Sequence, residues 1–148
     1  MKKKMKKCAS LLLTLLLVWT ALVPAYAASA ESEITPRLNT NINATCIPNV
    51  SSSGLLTVTN TYGVNDSRVT QVVVTTYVEK RSLLVIWNRV DIGTTNDEWV
   101  DYGENGYFSK THTAQMPESG TYRVTATFDV YSGSTLLDSN SVTCKLSY

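Results

Sequence analysis

Between Asp91 and Phe108 this 148-residue sequence gathers its densest set of chemically capable side chains. Asp91, Asp97, Glu98, Asp101 and Glu104, with Asn96 and Asn105, supply oxygens, while Trp99, Tyr102, Tyr107 and Phe108 supply flat rings. Oxygens alone suggest calcium, which takes about six to eight of them. The spacing fits no EF-hand, and Trp99 and Val100 interrupt the acids, so the expectation is a solvated acidic loop with no metal and no cofactor. Rings beside carboxylates suggest a sugar instead. Trp99, Tyr102 and Tyr107 could lie flat against a pyranose while Asp97 and Asp101 accept its hydroxyl protons, which makes these five the candidate ligand-binding residues. The competing use of Trp99 and Phe108 is to fill or cap a hydrophobic core. Paired carboxylates for glycoside hydrolysis would need a cleft that a small domain rarely offers.

His112 is the sole histidine, in "SKTHTAQ". Nucleophilic catalysis needs a hydroxyl or thiol held against such a base. No nucleophile elbow marks one, so His112 is expected to be an exposed strand residue and no catalytic residue is assigned. Cys46 and Cys144 are the cysteines left once Cys8 is set aside with the N-terminal leader. Their expected use is a disulfide, with two separate thiols as the alternative. Two cysteines and one histidine do not make a zinc site. Asn43, Asn49 and Asn65 begin glycosylation triplets, read here as ordinary strand and turn residues. Lys110 or Lys145 beside an asparagine could form an isopeptide bond, a possibility the sequence alone does not decide.

The leader itself has the layout of a Sec signal peptide. Lys2, Lys3, Lys4, Lys6 and Lys7 precede an apolar run from Leu11 to Val23, and small residues follow in "PAYA" and "ASA". The run is shorter than the roughly 20 residues that cross a bilayer. Cleavage is expected after Ala27, with Ala30 as the runner-up, giving a secreted, extracellular chain. No LPxTG-type sorting motif is present, so release is the expectation. Beyond residue 27 there are eight basic and twelve acidic side chains. An acidic balance argues against nucleic acid or an anionic membrane as partner. The expected partner is extracellular, a glycan or a protein.

The remaining sequence reads as strand, turn, strand. "RVTQVVVTTYVEK" and "TYRVTATFDVY" alternate with period two and are rich in β-branched residues. "LLVIWNRV" is apolar on both faces and reads as a further strand. Pro48 and the serines after it read as a break. Helical periodicity is absent after residue 30. The prediction is all-β: a single antiparallel β-sandwich of 7–8 strands over 37–148, preceded by the signal at 1–27 and an extended polar leader at 28–36. Val72, Val74, Tyr122, Val124, Ala126, Phe128, Val142 and Leu146 are expected to face one core.

The turn "PESG" followed by "TYRVTA" resembles the penultimate strand of immunoglobulin-like and fibronectin type III-like domains. The resemblance implies an immunoglobulin-like fold and a corner in which the Tyr122 hydroxyl bonds back to preceding backbone. Val124 stands where an antibody domain has its second core cysteine, so that family's disulfide is not expected. The order of a lysine-rich signal, "ITPR", "ATC", a Val/Thr strand, a Trp-bearing strand and "YRV" also resembles small uncharacterised secreted proteins of Firmicutes. That resemblance implies a Gram-positive source and no particular activity. Taken together, the expectation is a non-catalytic binding or structural surface component. A carbohydrate-binding module built on the Trp99 region is the alternative, and a small secreted hydrolase ranks third.

Overall fold

The computed structural model describes residues 31–35, 40–83 and 85–148. The expected signal segment, 1–27, lies outside the described residues. Nine strands follow in order: β1 Glu31–Thr35, β2 Ile42–Val50, β3 Leu55–Val64, β4 Gln71–Ser82, β5 Ile86–Arg89, β6 Glu98–Gly103, β7 Gly106–Gln115, β8 Thr121–Ser132 and β9 Thr135–Ser147. One 3-10 turn, Thr95–Asp97, is the only helical element among the described residues.

All pairings are antiparallel, and they make two sheets. One runs β2-β3-β7; the other runs β1-β9-β8-β4, with β5 and β6 both flanking the far side of β4. The architecture is all-β and compatible with a β-sandwich. Nine strands exceed the expected 7–8 for two reasons. Part of the polar leader, Glu31–Thr35, pairs with β9 from Ser141 to Lys145. The strand opposite β4 is also interrupted: β5 pairs with Glu79–Ser82, and β6 pairs with Val72–Tyr77 after an excursion through the 3-10 turn.

Alternation makes the core. On β4, Val72, Val74, Thr76 and Val78 are buried, and on β8 so are Tyr122, Val124, Ala126, Phe128 and Val130. The outward neighbours on β8 are mostly polar, as expected where one face is wet. Leu56, Val58, Tyr62 and Val64 of β3 and Ile42, Ala44 and Cys46 of β2 belong to the same apolar cluster. All eight residues expected in the core are buried. A one-residue slip on either long strand would turn its apolar row to water, so the register is strongly specified.

Two local readings need correction. Strand β2 continues through Pro48 to Val50, and the turn comes later, at Ser51–Gly54. Proline is tolerated there because β2 is an edge strand that pairs only with β3. The apolar segment "LLVIWNRV" is not one strand. Only Ile86–Arg89 pairs with β4, and Leu83 and Val85 form the hairpin turn between β4 and β5.

Candidate functional site

The chain passes from one sheet to the other at Glu104 and Asn105, between β6 and β7. The candidate residues are sorted by that crossover. On β6, Trp99 and Asp101 share a parity and Val100 and Tyr102 take the other; Trp99 is buried at 7% exposure, while Tyr102 is 67% exposed. On β7, Phe108, His112 and Ala114 are the covered positions, and Tyr107, at 78%, points the opposite way. Tyr102 and Tyr107 therefore lie on the outer faces of different sheets. Asp97 belongs to neither group: it ends the 3-10 turn with φ of 55°, and its carbonyl accepts from Arg89 Nη1 at 3.3 Å. The five candidates do not share a face.

Trp99 and Asp101 come together with His112. Asp101 Oδ2 and His112 Nε2 are 2.6 Å apart, and both side chains are largely covered. The Trp99 ring stacks on the imidazole, with centroids 4.9 Å apart and planes 7° from parallel. His112 is thus not the exposed strand residue expected. Its partner comes from the other sheet, so no spacing along one strand could announce it. The trio closes the open side between two edge strands, β6 and β7. A histidine held by a carboxylate is two-thirds of a catalytic triad. The nearest hydroxyls along β7, on Thr111 and Thr113, are on the opposite side of the strand, and Thr111 Oγ1 is bonded to Thr59 Oγ1 at 3.0 Å. The arrangement ties the two sheets together. The indole offers no free face to a sugar, since Trp99 is buried and His112 is stacked on it.

Aromatic packing continues beyond the crossover. Tyr62 stacks on Phe108 at 5.0 Å and meets Phe128 edge-on at 6.3 Å. Its hydroxyl donates to the Glu104 carbonyl at 2.9 Å. Burial, and after it the Glu104 carboxylate, raise the Tyr62 phenol above its ordinary pKa, so it remains a donor.

Cys46 and Cys144 lie side by side, from β2 and β9 of facing sheets, but they are not bonded. Cys144 Sγ donates to the Cys46 carbonyl at 3.1 Å, and both residues are buried. The structure thus shows two thiols where a disulfide was expected. Hydrogen bonding to Cys144, then burial, drive the Cys46 thiol far above its ordinary pKa.

Lys110 is directly opposite Asn60 in the β3–β7 register. Asn60 is fully buried and donates to Thr76 Oγ1 at 2.7 Å, whereas Lys110 is exposed. A lysine at such a position guards an edge strand against pairing with another chain. Among the described residues no three His, Cys, Asp or Glu side chains come together to hold a metal ion.

Two features escaped the sequence. One is an ionic and aromatic cluster on the outer side of β4 and β8. Arg123 grips Glu79 through two bonds, at 2.5 and 3.1 Å, and lies 4.6 Å over the Trp87 ring; Arg89 lies 3.5 Å over Tyr77. The other is a cavity of about 490 Å³ beside the β4–β5 hairpin, lined by Lys80, Arg81, Asn88, Arg89, Gln115 and Glu118 among others. Both depend on cross-strand neighbours that only the register supplies. No protein-family model matches the chain, and no curated protein matches it in sequence.

Proposed function

We propose that the protein is a secreted, non-catalytic β-sandwich of immunoglobulin-like topology that serves outside the cell as a binding or structural surface component. The observation that carries this is the corner at the start of β8. The Tyr122 hydroxyl donates to the Glu118 carbonyl four residues earlier, the bond that marks the tyrosine corner of these domains. Strand order supports the same conclusion. β2, β3 and β7 correspond to A, B and E, while β9, β8, β4 and the interrupted β5/β6 strand correspond to G, F, C and C′.

A secretory route fits the N-terminal sequence and the pair of facing cysteines. In an oxidising compartment Cys46 and Cys144 would close into a disulfide that joins the two sheets. The resemblance to small secreted proteins of Firmicutes belongs to this proposal. His112 is tied to the other sheet by Asp101 and Trp99, which fits a structural use of this histidine. A sugar-binding role would have to rest on Tyr102 or Tyr107 singly. The decisive experiment is expression in a Gram-positive host, followed by N-terminal sequencing and mass measurement of the supernatant protein. A chain starting at Ala28 with one disulfide is the expected product; an intact Met1 retained with the cells would overturn the proposal.

A further inference from the structure

The outer face of the β2-β3-β7 sheet carries no charge. Its outward positions run from Asn43 to Asn49 on β2, from Leu55 to Gly63 on β3 and from Tyr107 to Gln115 on β7. All are exposed or half-buried, and most are threonine, serine, asparagine or glutamine. Surfaces are roughly a quarter to a third Asp, Glu, Lys and Arg, so a face of this size should carry about four such residues. Lys110 and His112 of β7 do not break the rule, because they stand opposite Asn60 and Val58, whose side chains point inward. The apolar side chains on the face, Ile47, Leu55 and Tyr107, stand apart from one another in the register.

Gly63 is the residue on this face that the fold does not require. Glycine weakens a strand, because it adds backbone freedom and packs no side chain. Its φ is not left-handed, and a Cβ built there meets no atom within 4 Å. Neither conformation nor crowding therefore calls for glycine. A ring laid over it from the next strand would be a third reason. Tyr107 is directly opposite, yet no atom of its ring comes within 4 Å of that Cβ, and the residue is 78% exposed. What remains is close approach from outside, the other use of a strand glycine. Asn43, Gly63 and Tyr107 form one row across the three strands, and Thr45, Thr61 and Ser109 form the next. Strand spacing of about 4.8 Å sets bare backbone between an amide and an exposed ring. Thr45 Oγ1 and Thr61 Oγ1 are 2.6 Å apart, and since only one of them donates in that bond, the pair keeps a free O–H. Groups that both donate and accept, a ring and no ion complement a neutral sugar. An anionic ligand would find no cation here. Protein interfaces concentrate aromatic residues, Met and Arg at their centre, which this face does not.

We propose that this face binds a neutral glycan, with one pyranose resting on the Gly63 backbone beside the Tyr107 ring and its hydroxyls taken by Asn43, Thr45, Thr61 and Ser109. This deepens the binding role proposed above and rests on it. Of the candidate rings it uses Tyr107 alone. The test titrates the secreted protein calorimetrically with cellotetraose, chitotetraose and maltotetraose, and with polygalacturonate as the anionic comparison. At least one neutral tetrasaccharide should bind, and polygalacturonate should not. Tyr107→Ala should weaken binding by about tenfold or more, as expected when one aromatic side chain is no longer buried by the ligand. Gly63→Thr should weaken it similarly, while melting no lower than the parent, because threonine suits a strand and has room there. Tyr102→Ala, on the outer face of the other sheet, should bind like the parent. Binding of no neutral probe, tighter binding of polygalacturonate, or full binding by Gly63→Thr would overturn the proposal. A parent dimer that Tyr107→Ala disperses, with no glycan bound, would assign the face to a second copy of the chain and also overturn it. None of these outcomes alters the expected start at Ala28 or the disulfide, so the secreted role and the glycan site fail separately.

Discussion

Asp101 of β6 and His112 of β7 meet at 2.6 Å across the open side of the fold, although each belongs to the edge strand of a different sheet. Trp99 covers the imidazole, so the bond is shielded from water on one face. A hydrogen bond to a charged group is worth about 1.5–3 kcal/mol, and leaving one partner unsatisfied costs a similar amount. Asp101→Ala should therefore lower unfolding free energy by about 2 kcal/mol in urea titration. Adding His112→Ala should cost little more, since the orphaned imidazole would be gone. Strictly additive losses would show that the pair is not coupled.

The cysteine pair yields a second expectation. Secreted protein should be two hydrogens lighter than the dithiol and should resist alkylation when unfolded without reductant. The residues are 98 apart in sequence, so the loop-entropy relation sets an upper bound of nearly 5 kcal/mol on the stabilisation, with measured gains often smaller. Comparison of urea midpoints with and without reductant measures it. Complete alkylation of both thiols in unreduced protein would show that the pair stays open.

Much of the fold was legible because β4 and β8 are central strands with one dry face. Alternation such as Val72, Val74, Thr76, Val78 follows directly from that situation. The site was harder to read. "EWVDYGENGYFSK" looks like one hairpin, and parity shows that Trp99 and Asp101 share a side. Nothing local says which side, or that β6 pairs with β4 while β7 pairs with β3. Tyr102 and Tyr107 diverge for that reason. Likewise "LLVIW" has the composition of a buried strand, and a short apolar run does not reveal whether it turns at a hairpin tip.

Asp66 provides a prediction in pH. Arg68 bonds its carboxylate through the side chain at 3.0 and 2.6 Å and through backbone N–H at 3.0 Å. The Arg68 side chain, then its backbone N–H, hold the Asp66 pKa down to about 2. The unfolded value is near 3.9. Because the folded value is the lower one, the favourable contribution is present above about pH 4 and fades as pH falls toward about 2. An NMR titration of the Asp66 carboxyl should show the low midpoint, and Arg68→Gln should raise it part of the way, because the backbone bond survives. A midpoint unchanged by that substitution would remove Arg68 as the cause.

Gly103 gives the sharpest packing test. A Cβ built at this position would lie 2.1 Å from the Tyr62 hydroxyl oxygen and 3.0 Å from the Phe108 ring. Tyr62 has little freedom to retreat: it is 1% exposed, stacked on Phe108 and bonded to the Glu104 carbonyl. Gly103→Ala should therefore push β6 away from the aromatic cluster, at the roughly 1–3 kcal/mol typical of overpacking. Tyr62→Phe alone removes the donor to Glu104 and should cost about 1 kcal/mol. Combined, the two changes relieve each other, because the oxygen that meets the new methyl group is gone. The double variant should be more stable than the sum of the single losses implies, by at least about 0.5 kcal/mol, the lower range for residues in contact. Additive losses in a thermal or urea cycle would mean that the methyl group is accommodated by backbone movement at the Glu104–Asn105 crossover and that the Tyr62 hydroxyl does not set the distance between β6 and the core.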